Sequence, residues 1–124
     1  MRVIGLDHLV LNVRDVERSL AYYTGVLGLQ GERVEAWRQG QVPFPSVRID
    51  GDTIIDLLAA ERDGENLNHL CLVLPRADWE EAVQQERIEV TRGPAELFGA
   101  RGVGTAFYTR DPDGNTVELR HYGD

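Results

Sequence analysis

The sequence is most informative at first through what it has little of. It contains a single cysteine, Cys71, so no internal disulfide and no multi-cysteine zinc site can form. It has no basic surplus: 13 Lys+Arg stand against 21 Asp+Glu, for a formal net charge of −8. A chain so charged lacks the cations that neutralise nucleic-acid phosphates or bind an anionic membrane surface, so neither is expected as a partner. Long apolar runs are also missing. The N-terminal stretch MRVIGLDHLVLNV meets Asp7 and His8 before any extended hydrophobic segment develops. This is neither a signal peptide nor a membrane span, which needs roughly 18 or more apolar residues. A cytoplasmic location is the resulting expectation.

What remains is ordinary globular composition, 42% hydrophobic and 27% charged, in 124 residues, the size of one compact domain. Within it lies a repeat. Leu6-Asp7-His8-Leu9-Val10-Leu11 is echoed by Leu67-Asn68-His69-Leu70-Cys71-Leu72, each reading as a strand with a histidine near its start. A helix signal follows each copy. Asp15 is an N-cap candidate before Val16, Leu20, Tyr23 and Leu27 at helical spacing, with Gly25 and Gly28 offering a stop. In the second copy Pro75 and an N-cap candidate at Asp78 precede Trp79, Ala82 and Val83 on one face.

Hairpins follow both helices. Strands are predicted over 44–50 and 53–58 around Asp50-Gly51-Asp52, and over 105–110 and 116–122 around Asp111-Pro112-Asp113-Gly114-Asn115. The segment 30–39 supplies the remaining strand of the first half, and 89–92 its weaker counterpart. Residues 1–58 therefore read as one βαβββ module, 59–66 as a polar linker and 67–124 as a second module. Asp56 follows His8 at nearly the spacing at which Glu118 follows His69. Aligning the two turns instead sets Ile55 opposite Glu118, a one-residue slip that would turn the side chain to the other sheet face.

The opening DHLVLNVRDVERSLAYYTGVLGL, the middle NHLCLVL and the closing FYTRDPDGNTVELR together resemble the vicinal oxygen chelate superfamily, the glyoxalase, bleomycin-resistance and extradiol-dioxygenase group. The resemblance implies an α+β fold whose two βαβββ modules form an open half-barrel cleft, completed by a dimer partner. It also implies one divalent metal, Fe, Mn, Ni, Co or Zn, held where His8, His69 and Glu118 stand, with Asp56 as a fourth ligand in some members. Two neutral imidazoles and a carboxylate leave coordination positions open for a substrate with vicinal oxygens. A short interdomain linker makes a homodimer the expected assembly, its sites shared, with His8 from one chain and His69 and Glu118 from the other.

Several residues carry two readings each. Asp56 is either that fourth ligand or a solvent-facing carboxylate. Tyr108, across the hairpin from Glu118, either donates to a bound oxygen or is a half-buried strand tyrosine. Arg120 and Arg48 either hold an anionic group in the cleft or pair with surface acids. Tyr108 and Arg120 are the candidate catalytic residues. His121, on the strand face opposite Glu118, reads as exposed and not a ligand, and Cys71 as core filler. Trp79, Tyr22 and Tyr23 read as packing residues; Trp37, in a loop-rich stretch, is a candidate substrate contact. The glycine-rich 99–104 stretch reads as a flexible loop. Asp111 to Glu118 fails as a calcium loop, its glycine falling at the fourth position instead of the sixth.

The expected activity is lyase, isomerase or oxygenase chemistry on a small substrate. The sequence does not choose among these: the further histidine usual in ring-cleaving relatives is not evident, nor are glyoxalase glutathione-binding residues. Val10 stands where fosfomycin-modifying relatives carry threonine. The alternative is a bleomycin-resistance-type protein that sequesters a small cationic ligand without catalysis.

Overall fold

The computed structural model describes residues 1–26, 28–62, 64–110 and 116–124. Strand β1 (Gly5–Val13) is followed by α1 (Val16–Leu20), which runs on as a π-helical segment, Ala21–Val26. Then come β2 (Gln30–Glu32), α2 (Val34–Arg38), β3 (Ser46–Arg48) and β4 (Ile54–Ala59). The second half repeats the order with β5 (Leu67–Val73), α3 (Arg76–Ala82), β6 (Arg92–Gly99), β7 (Gly102–Arg110) and β8 (Thr116–His121). These are the two βαβββ modules of the expected α+β class, the first with an added helix. The chain's contacts divide it into two compact units, one of residues 9–68 and one of residues 1–8 with 69–124. The opening of β1, up to His8, thus belongs with the second module.

In the unit of residues 9–68, β2, β3 and β4 pair antiparallel, with Ser46 opposite Asp56. Asp15 caps α1, its Oδ1 accepting from the Arg18 amide at 3.1 Å. The apolar face presented by that start buries Val16 and Leu20 against Val47 and Leu57, with Tyr23 and Trp37 packed alongside. Three expectations change here. The segment 30–39 yields only a three-residue strand before α2, and Trp37 is a packing residue of that helix. Tyr22, expected to pack, is 49% exposed. Leu27 and Asp63 lie outside the described residues, as does the Asp111–Asn115 turn.

In the other unit β5 and β8 pair in parallel, while β8–β7 and β7–β6 are antiparallel. Strand alternation gives each side of this sheet a separate task. Leu119 and Phe107 turn to α3, where Trp79 and Ala82 complete a buried core with Leu74. Trp79 Nε1 donates to the Leu119 carbonyl at 2.8 Å, so the indole is satisfied as well as buried. α3 starts at Arg76 behind Pro75, two residues before the expected cap at Asp78. His121 faces this same helix. It is only 9% exposed, its ring edge-on to Trp79 at 4.8 Å, which corrects the expectation of an exposed histidine. β6 spans 92–99 and not 89–92. Gly99 pairs with Gly102 across a two-residue hairpin turn, which replaces the expected flexible loop.

Candidate metal centre

The opposite face of β5, β7 and β8 carries the polar residues. Parallel pairing sets Cys71 beside Glu118, and antiparallel pairing sets Tyr108 across from it. His69, two residues before Cys71, shares that face, and His8 arrives from β1 within the same unit. His8 Nε2 and His69 Nε2 are 3.2 Å apart; Glu118 Oε1 is 3.6 Å from the first and 3.3 Å from the second. Nitrogen and oxygen ligands about 2.1 Å from a divalent ion stand about 3.0–3.4 Å from each other, so this triangle has the dimensions of a ligand set. His8 and Glu118 are buried, whereas the His69 side chain keeps 13% exposure, so the set opens toward solvent on the His69 side.

The donor chemistry fits a cation too. Asp7 Oδ2 accepts from His8 Nδ1 at 2.7 Å, which in the neutral ring leaves the Nε2 lone pair aimed at the other two donors. Three potential donor atoms thus converge, with the Arg120 guanidinium bound to the far oxygen of Glu118. Burial alone would push the Glu118 carboxyl up, but hydrogen bonding to His69, to His8 when its ring is protonated, and the charge of Arg120 outweigh it and hold the group far below the usual carboxylate range.

Glu118 divides its oxygens. Oε1 faces the imidazoles, while Oε2 accepts from Arg120 Nη2 at 2.6 Å and Nε at 2.9 Å, and from the Cys71 thiol at 3.1 Å. Arg120 is fully buried, so it is not the anion-holding cleft residue of the sequence reading. Cys71 is buried as well, and burial followed by the Glu118 charge pushes its thiol pKa well up. Tyr108 is half-buried, its ring edge-on to His69 at 5.4 Å. Burial, the charge of Glu118 and a hydrogen bond to it raise the phenol above its ordinary value, so the hydroxyl keeps its proton. Arg48 pairs with Glu32 at 2.5 Å, a structural ion pair.

Asp56 stands elsewhere. It is buried, not solvent-facing, and accepts from Ser46 Oγ at 2.5 Å. Among the described residues, the groups of potential ligand atoms lying within 4.8 Å of each other are His8-His69-Glu118 and Asp7-His8-Cys71, and Asp56 is in neither. The three donors meet inside one chain, so their assembly does not require the division between protomers that the linker length predicts; the first residues of β1 already lie in the unit of His69 and Glu118. Sequence reasoning missed Asp7 and Tyr122, whose hydroxyl donates to Asp7 from 115 residues away. An acid directly before a strand histidine was the one local signal available.

Known proteins match this arrangement along nearly the whole chain. Residues 5–119 fit the model of the Glyoxalase/Bleomycin resistance protein/Dioxygenase superfamily. Virulence protein STM3117 of Salmonella typhimurium is 29% identical over 125 residues, covering 98% of this chain and 87% of that protein. Glyoxalase domain-containing protein RDO1 of Mycosarcoma maydis is 31% identical over 132 residues, covering 100% and 72%. The Mn(II)-bound glyoxalase from Novosphingobium aromaticivorans shares the fold at a TM-score of 0.71 and 21% identity, over 98% of this chain and 40% of its own. The chain described here belongs to the glyoxalase, bleomycin resistance protein and dioxygenase superfamily.

Proposed function

We propose that His8, His69 and Glu118 hold one divalent metal and that the protein is an enzyme acting on a small substrate with vicinal oxygens. The observation that carries this reading is the buried triangle of two Nε2 atoms and one carboxylate oxygen, 3.2–3.6 Å on a side. A fold neighbour described as Mn(II)-bound adds support, and Fe, Mn, Ni, Co and Zn all accept such a donor set. When bound, the metal supplies Lewis-acid polarisation of substrate oxygens at the coordination positions the protein leaves open.

The chain's own residues do the rest. Arg120 and Cys71 occupy Glu118 Oε2, so Glu118 offers a single oxygen and the donor set stays at three. Tyr108 Oη, protonated and hydrogen-bonded to Glu118, is placed to turn its proton to a substrate oxygen, with Arg92 stacked 5.4 Å over its ring. A set of three, with Asp56 bound instead by Ser46, favours chemistry that tolerates a facial site over a four-ligand glyoxalase arrangement. Retention of all three donors runs against a metal-free, drug-sequestering cleft. The N-terminal segment exposes Met1, Val3, Ile4 and Leu6, and we read the assembly as a homodimer, which light scattering tests directly.

The deciding experiment is metal analysis of untagged protein, followed by His69→Ala. About one transition metal per chain in the parent and none in the variant is the expected result. No metal after reconstitution with Fe, Mn, Ni, Co and Zn would overturn the reading.

A further inference from the structure

The donor atoms are aimed by side chains that are not donors themselves. Asp7 is fully buried and surrounded by groups that give hydrogen bonds. His8 Nδ1 at 2.7 Å and the Ala100 amide at 3.0 Å reach Oδ2, the Tyr122 hydroxyl reaches Oδ1, and Arg120 Nε lies 3.8 Å from Oδ2. Arg120 is equally committed. Besides Glu118 Oε2, it donates to the carbonyls of Phe98 at 2.9 Å and Leu97 at 3.3 Å and to Tyr122 Oη at 3.2 Å. A Cβ at position 99 would run into both the Arg120 guanidinium and the Tyr122 hydroxyl, so Gly99 is what gives them room. The network is continuous from His8 to Glu118 and lies within one compact unit.

We propose that Asp7, Arg120 and Tyr122 form a brace that sets the tautomer of His8 and selects which oxygen of Glu118 is presented, with Asp7 as its central positioning residue. The chemistry of Asp7's surroundings carries this. Its hydrogen-bond partners His8 Nδ1, the Ala100 amide and the Tyr122 hydroxyl all donate, so both of its oxygens accept. An asparagine there has one acceptor oxygen and one NH2 group, and the NH2 group must then meet a donor. The Tyr122 hydroxyl already accepts from Arg120 Nη1 and the Arg101 amide, so it has no lone pair left for the NH2 group. The partner able to change role is His8, whose proton would move to Nε2 and remove the lone pair aimed at His69 and Glu118. Arg120 acts at the other end by occupying Oε2 through two nitrogens, which fixes the carboxylate's rotation and leaves Oε1 toward the imidazoles. The link between the ends is Tyr122, bonded to both Asp7 and Arg120.

The inference rests on the metal reading for its consequence, not for its geometry, and the experiment separates the two. Long-range proton–nitrogen NMR on metal-free full-length protein reads the His8 tautomer. Competition between the protein and a chromophoric chelator for Zn(II) alone reads affinity. The wild type is expected to show the Nδ1–H tautomer at His8. Asp7→Asn is expected to lose it and to bind Zn(II) about 10–100-fold more weakly, the usual effect of removing a ligand's hydrogen-bond partner. Tyr122→Phe keeps the ring that packs under Arg101, 4.6 Å away, and removes only the hydroxyl. It is expected to fold normally and weaken Zn(II) several-fold, so the proposal stays testable if Asp7→Asn fails to fold. Wild-type tautomer and wild-type affinity in Asp7→Asn, or unchanged affinity in Tyr122→Phe, would overturn the brace. A wild type that binds no Zn(II) would sink the metal reading, while the His8 tautomer in Asp7→Asn would still decide the positioning role.

Discussion

The hairpins β3–β4 and β7–β8 place a carboxylate at the same point. Asp56 lies opposite Ser46, and Glu118 lies opposite Tyr108 at the same separation in sequence. The ladders therefore resolve the one-residue ambiguity in favour of Asp56 as the counterpart of Glu118. Their surroundings then diverge. Asp56 accepts from a short serine hydroxyl, while Glu118 is met by two imidazoles, a guanidinium and a thiol. Equivalent backbone positions carry different chemistry: in both hairpins a hydroxyl across the ladder bonds the carboxylate, but only Glu118 also faces two histidines and an arginine among the partners described. Repetition of a fold element copies the position of a side chain and not its role.

The largest effect that could break this comparison is on metal. Glu118→Ala should abolish stoichiometric binding, measured by metal analysis after dialysis, whereas Asp56→Ala should retain about one ion per chain. Loss of metal in both would mean that the two carboxylates share a role after all. Next in size is Arg120→Met, which leaves Glu118 and Asp7 buried without their cation and should cost about 3–5 kcal/mol in urea unfolding. Asp56→Ala should cost about 1–3 kcal/mol, the range for orphaning a buried polar partner, here Ser46 Oγ. A double-mutant cycle with Ser46→Ala should return most of that as coupling; additive effects would show that Ser46 does not hold Asp56.

The smallest effect concerns His121. Burial lowers its pKa below 6.5, Arg76 lowers it further, and Glu80 and Asp124 oppose them. A depressed histidine pKa favours the neutral ring in the folded state. The associated stability is fully present above about pH 6.5 and is lost as pH falls through the folded value. Wild-type protein should therefore lose more stability than His121→Gln between pH 7.5 and 5.5, read from urea midpoints. Equal losses would remove His121 from the account.

Much of this was legible because it is local or periodic. His8 and His69 sit in matching strand patterns, Asp15 announces α1, and the β7 and β8 strands alternate clearly between an apolar and a polar face. The errors have physical causes. Arg120 looks like any strand arginine until its partners are known, and Leu97 and Phe98 lie 23 and 22 residues away. His121 reads as exposed from sequence because it is α3, through Trp79, that covers it. Trp37 seemed loop-borne because a five-residue helix carries too little periodicity to be recognised. The glycines of 99–104 read as slack, although Gly99 and Gly102 close a two-residue turn.

That turn has a consequence for how the protein tolerates change. The brace meets the β6–β7 hairpin mainly through main-chain groups, the carbonyls of Leu97 and Phe98 and the amides of Ala100 and Arg101, with the Arg101 guanidinium stacked on the Tyr122 ring. What these contacts specify is loop length and not loop spelling. Apart from Gly99 and Gly104, where space is required, Gly102, whose φ is positive, and Ala100, which is buried, the hairpin can drift by substitution while its donors and acceptors stay in register. One inserted or deleted residue would instead displace all four main-chain contacts at once. Natural variants should therefore differ here in letters but hardly ever in count.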